Sequence, residues 1–150
     1  MTESMRGSCQ CGSVTYQTSE PPLFCLVCHC KDCQKLSAAA FSPTVVFRAD
    51  AFSVRGKLAR YETKSDSGKT KHGYFCPKCG NRIYHLDPDA PENIRLKGGT
   101  LDNAAIPTPL AHVWTSRKQP WVEIPAETPQ FEGNAENLGQ LLREAKRRRP

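Results

Sequence analysis

Residues 28–33 read CHCKDC, so three thiols, Cys28, Cys30 and Cys33, fall within six residues. Thiolates gathered that closely repel one another, and a chain keeps them together only around a cation. Zinc takes thiolate sulfur readily and favours four ligands in a tetrahedron. The cluster supplies three. Whether a protein side chain or an incoming molecule takes the fourth corner separates a structural site from one that does chemistry.

The remaining cysteines bear on that question. Cys9 and Cys11 lie between small residues in GSCQCG, and Cys76 and Cys79 form the zinc-knuckle pattern CPKCG. Pro77 presets one turn dihedral and Gly80 tolerates the left-handed one, which turns backbone amides towards the sulfurs. Two tetrahedral ions want eight ligands, and these three groups hold seven cysteines. The arithmetic suggests a closed four-sulfur site, Cys9 and Cys11 with Cys76 and Cys79, beside an open three-sulfur site. Spacing alone leaves another partition open, because Cys25-x-x-Cys28 is also ligand-spaced. Ligation by Cys25 would close both sites and make the protein a zinc scaffold. Its apolar flanks, Leu23-Phe24 and Leu26-Val27, favour a buried free thiol instead. Disulfides are disfavoured by the crowding at residues 28–33 and by an N-terminus, MTESMRGSCQCG, that has no apolar signal core. A reducing cytoplasm is the expected compartment. No four-cysteine run of the iron–sulfur kind is present.

A chain of 150 residues suits one domain, and 12 prolines, 10 glycines and an apolar fraction of 38% point to short strands joined by many turns. Alternation predicts strands over 13–18 and 110–115, a short apolar run predicts one over 23–27, and short stretches between turn signals predict others over 41–47, 52–55, 58–63, 70–75, 83–86 and 94–96, with a helical turn over 31–37. Pro43 places the 41–47 strand at a sheet edge or puts the proline at the strand's start. From Glu123 the composition changes to a Pro-rich linker, and Asn134 is placed as the cap of a final helix through about Arg148. The expected organisation is a zinc domain over 7–122 and a linker with a basic helical tail over 123–150.

The formal charge is +6, but residues 140–150 alone carry five basic groups and one acid, which leaves +2 for the other 139 residues. Two thiolate-bound zinc ions would take the body to about −1. Only the tail, Lys146 to Arg149, is strongly basic, so nucleic acid is a weak expectation. No apolar run approaches the ~20 residues that span a membrane. Oligomeric state is not legible. On the 110–115 strand, His112 and Trp114 fall on one face, which places them as candidates for the wall of a pocket near the open metal; the alternative is a face packed on the core. His29 is expected to point away from the thiols. Lys31, Arg82 and Lys97 are candidate partners for the carboxylates of an acidic substrate.

The blocks GSCQCGSV, CHCKDCQKLS, FCPKCG, GGTLDN and LAHVWTSRKQPW together resemble the glutathione-dependent formaldehyde-activating enzyme family, which also takes in centromere protein V. The resemblance runs from about Gly7 to Trp121. It implies a mainly β fold of small antiparallel sheets, called Mss4-like or β-tent, and two zinc ions. Cys9, Cys11, Cys76 and Cys79 match the family's structural zinc ligands, Cys28, Cys30 and Cys33 its catalytic ones, and Cys25 none. The implied activity is that of a carbon–sulfur lyase, in which the thiol of glutathione adds to formaldehyde to give S-hydroxymethylglutathione. His112 is the candidate general base. The alternative is a non-catalytic zinc module, with nucleic acid held by the basic tail.

Overall fold

The computed structural model describes residues 4–148. Ten strands form two sheets. The smaller is antiparallel and joins β1 (Arg6–Ser8), β2 (Thr15–Thr18) and β5 (Phe52–Arg55) in the order β1-β2-β5. The larger has seven strands in the order β10-β3-β4-β9-β8-β7-β6. These are β3 (Phe24–Cys28), β4 (Ser42–Arg48), β6 (Ala59–Lys64), β7 (Thr70–Phe75), β8 (Arg82–Leu86), β9 (Asn93–Lys97) and β10 (Ala111–Val113). All neighbours are antiparallel except β10, which runs parallel to β3. Two helices complete the fold, α1 (Lys31–Ser37) and α2 (Leu138–Arg148). The mainly β class expected from the sequence is what forms.

Side chains alternate across a strand, and here the two faces of the large sheet have different jobs. Cys25 of β3, Val45 and Phe47 of β4, and Ile94 and Leu96 of β9 point into the buried core, where they meet Val14 and Tyr16 from the small sheet's side. Residues of the opposite parity lie directly across from one another in a single row. The row runs Phe24, Val46, Arg95, His85, Gly73, Tyr61 over β3, β4, β9, β8, β7 and β6. Leu26, Thr44 and Lys97 form the row beside it. Polar side chains are concentrated on this second face.

Pro43 does not put its strand at an edge. β4 lies inside the sheet between β3 and β9, and five of its seven residues are buried. The proline is accommodated because it is the strand's second residue, and the ladder to β9 begins only at Thr44. The segment beyond residue 122 is tied to the body. His112 N donates to Pro129 O, Phe131 N to His112 O and Trp114 N to Gly133 O, at 2.9–3.0 Å. This covers the free side of β10, which is an edge strand and would otherwise leave its backbone unpaired. Leu141 of α2 is buried. The helix starts at Leu138, four residues after the predicted cap, because Asn134 Oδ1 accepts from Trp114 Nε1 at 3.0 Å. Arg149 lies outside the described residues.

Gly7 sits where β1 passes Tyr16 and Thr100, and a methyl group there would collide with the Tyr16 hydroxyl and the Thr100 carbonyl. Gly7→Ala is expected to cost about 1–3 kcal/mol, read as a fall in the midpoint of denaturant unfolding at unchanged metal content. Tyr16 itself is buried with its hydroxyl 2.8 Å from Thr100 Oγ1, and burial raises its pKa from 10.0 to about 12. The folded protein therefore keeps a proton that the unfolded chain gives up. Stability should be intact below pH 10 and fall between there and about pH 12, and Tyr16→Phe should flatten part of that alkaline slope in Tm.

Candidate metal centres and the cavity beside them

The loop between β1 and β2 delivers Cys9 and Cys11, and the loop between β7 and β8 delivers Cys76 and Cys79. Their four sulfurs lie within 4.8 Å of one another. Cys11 Sγ is 3.6 Å from Cys9 Sγ and 3.7 Å from Cys76 Sγ. Those gaps are far too long for a disulfide, whose sulfurs are ~2.05 Å apart. They fit the edge of a zinc–thiolate tetrahedron, which is about 3.8 Å for bonds of ~2.3 Å. Gly80 closes the knuckle at φ +76° and donates from its amide to Cys76 O at 2.8 Å. Two of the four thiols are held low. The Ser13 hydroxyl and amide pull Cys11 down to about 6, and the Asn81 amide lowers Cys79. The Val14 amide donates to Cys9 Sγ at 3.2 Å.

The second group forms where β3 runs into α1. Cys28 ends the strand, Cys30 caps the helix by accepting from the Cys33 amide at 3.3 Å, and Cys33 sits in the first turn. Their three sulfurs also lie within 4.8 Å of one another, and among the described residues no fourth cysteine, histidine or carboxylate joins them. Hydrogen bonds from the thiols of Cys28 and Cys30 hold Cys33 low, while Cys28 is pushed up. Cys25 is on the opposite face of β3, only 1% exposed, with its thiol raised to about 11 by burial. It belongs to neither group.

All three of these cysteines line a cavity of about 240 Å³ on the polar face of the large sheet. His85, Arg95 and Lys71 stand on its wall, and Trp114 and Leu138 help to enclose it. Sequence reasoning did not single out His85, Arg95 or Lys71. The parity of β8 and β9 could have found the first two, once Cys28 was known to share their face.

His112 is placed elsewhere. The strand ends at Val113, and Trp114 takes a left-handed backbone at φ +56°, which breaks the alternation that put His112 and Trp114 together. Trp114 turns to the cavity beside Val113, and His112 is not among the residues lining it. Its Nδ1 lies 2.9 Å from Nε2 of His29, and both rings are buried. Burial holds His29 at about 4 and lowers His112 as well, so the pair is neutral near pH 7. Of the three basic candidates, Lys31 is exposed and donates to Gln34 Oε1. Arg82 lies over the rings of Tyr61 and Phe75. Lys97 is 7% exposed with Nζ 3.4 Å from Ser42 Oγ. None of the three lines the cysteine cavity. Among the described residues no helix is long and apolar enough to cross a membrane.

The chain was compared with known proteins. The sequence profile described as "Glutathione-dependent formaldehyde-activating enzyme" matches residues 4–117. A curated protein of Halomonas elongata, provisionally named a glutathione-dependent formaldehyde-activating enzyme, is 29% identical over 128 residues, 80% of each chain. A crystal structure of a Rhodobacter sphaeroides protein superposes with a TM-score of 0.51 at 22% identity, over 67% of this chain and 90% of its own.

The two cysteine groups should separate in their effects on metal and fold. Cys76→Ser is expected to unfold the protein at 25 °C and to lower the zinc content of both groups, since a structural zinc contributes much of a small domain's stability. Cys30→Ser is expected to leave about one zinc with a native far-UV circular dichroism spectrum, because serine still caps α1. Elemental analysis beside the spectra checks both.

Proposed function

The chain belongs to the glutathione-dependent formaldehyde-activating enzyme family, and we propose on that basis that it is an enzyme of carbon–sulfur bond formation and cleavage. The reading takes a thiol and a small electrophilic carbon as its reactants, glutathione and formaldehyde being those that the family's name supplies. One observation carries it. Three cysteine sulfurs within 4.8 Å of one another share a cavity wall, with no fourth protein ligand among the described residues.

Cys28, Cys30 and Cys33 would hold zinc. When bound there, the ion supplies a Lewis acid that receives a thiol sulfur and lowers its pKa. The residues around it do the rest. Phe24, Leu26, Val46, Val113 and Leu138 give the cavity apolar walls that limit water around the reacting atoms. The enclosed space holds the electrophile against the sulfur, and positioning of this kind supplies much of the rate when the nucleophile is a softened thiolate. In the addition, the sulfur–carbon bond forms as the carbonyl π bond breaks. The proton leaving the thiol ends on the new hydroxyl oxygen. His112 is held by His29 away from the cavity wall, so the transfer of that proton is not assigned to it.

The reading is tested by exchange NMR on glutathione and formaldehyde at equilibrium with their adduct. The zinc-loaded protein is expected to raise the exchange rate over buffer. Cys30→Ser, folded and one zinc short, is expected to lose at least about 100-fold of that increase. Unchanged exchange in Cys30→Ser would remove the three-cysteine site from the chemistry.

A further inference from the structure

Arg95 and His85 face each other across β9 and β8 on the wall of the cysteine cavity. Each buries a nitrogen that has no hydrogen-bond partner among the described residues, Nη1 of Arg95 and Nδ1 of His85. His85 is 4% exposed. Buried polar groups are nearly always paired, because an unpaired one has given up its water for nothing. Two adjacent cross-strand residues of one cavity wall, each with a nitrogen left unpaired, therefore mark a place where the protein does not use all of its donors.

The charges select what fits. Lys71 lines the same cavity. Among the described residues the only carboxylate on its wall is Asp66, which is exposed in the turn between β6 and β7. The ion pairs among the described residues use Glu20, Asp50, Glu62 and Asp87, and none involves Arg95 or Lys71. A guanidinium with a free edge, an imidazole and an ammonium group together suit a carboxylate. The cavity, at about 240 Å³, is smaller than the ~300–1,000 Å³ usual for ligand sites. Sulfur and carboxylate must then lie few bonds apart.

We propose that Arg95 and His85, with Lys71, form a carboxylate subsite beside the three cysteines, so that the thiol accepted there is a mercaptocarboxylate. This rests on the reading of that cavity as a thiol site. The arginine and histidine are positioning residues, which hold the acid end while the sulfur reaches the cysteines. The carboxylate belongs either to a small mercaptoacid or to one end of a larger thiol.

Calorimetric titration of the zinc-loaded protein separates these cases. The first pair of probes is 3-mercaptopropionate and 3-mercaptopropanol. The second is glutathione and its glycine monoethyl ester. The acid of at least one pair is expected to bind about tenfold tighter than its neutral partner. Preference in the first pair alone assigns a small mercaptoacid, and preference in the second assigns the glycine end of a tripeptide. Arg95→Gln should bring the ratio close to one while leaving 3-mercaptopropanol affinity unchanged, and Arg95→Lys should restore part of it. A purely structural arginine would shift both affinities together. If Arg95→Gln does not fold by circular dichroism, Lys71→Gln and His85→Asn carry the same comparison. Equal binding of acid and neutral thiols to the native protein would overturn the subsite and leave the thiol reading standing. Failure of every thiol to bind would instead overturn the thiol reading on which the subsite rests.

Discussion

Seven thiols held in two groups, each within 4.8 Å, are the constraint on which the architecture depends. Bare thiolates at that spacing would drive their loops apart. A cation held in each group would turn the repulsion into a cross-link. The four-sulfur group joins the β1–β2 loop to the β7–β8 loop, and so fastens the small sheet to the large one across more than 60 residues of chain. Cys9 and Cys76 are counted among the buried core residues, so this centre and the apolar packing form one unit. With a metal ion in that centre, coordination would add to burial in holding a chain of modest apolar fraction.

The three-sulfur group depends on the same sheet but uses its other face. Cys25 and Cys28 are three residues apart on β3, and the pleat sends one into the core and the other into the cavity. That odd spacing separates a core thiol from one on the cavity wall, where residue type alone could not. The row that brings Cys28's face past Arg95 and His85 is fixed by the register of four strands. The cavity is completed from outside the sheet, by Trp114 at a left-handed turn and by Asn134 to Leu138 ahead of and within α2. Asn134, Ala135 and Leu138, beyond residue 122, thus line the cavity.

Much of this was legible in the sequence, and the pattern of what was not has physical causes. The cysteine groups were visible as two pairs and a triplet, though spacing left their partition open, and nearly every strand was legible in a short patterned or apolar run, because such signals are local. α1 was placed at Lys31–Ser37 on local signals too. Faces that depend on unbroken alternation failed where a backbone dihedral breaks it, as at Trp114. Pro43 left two placements open, and the one at the strand's start holds; choosing between them needed the point at which the ladder to β9 begins, and that is a tertiary fact. Arg95 and His85 went unnoticed because a lone arginine or histidine in a strand carries no signal until the register shows what it faces.

The central claim is that one centre is closed by four protein sulfurs and the other by three. Zinc-edge X-ray absorption on the two-zinc protein measures this directly. The account predicts about 3.5 sulfurs per zinc on average, rising towards four when a thiol is added. Four sulfurs per zinc without added thiol, falling on Cys25→Ser, would contradict it, since the second ion would then be closed by the chain itself.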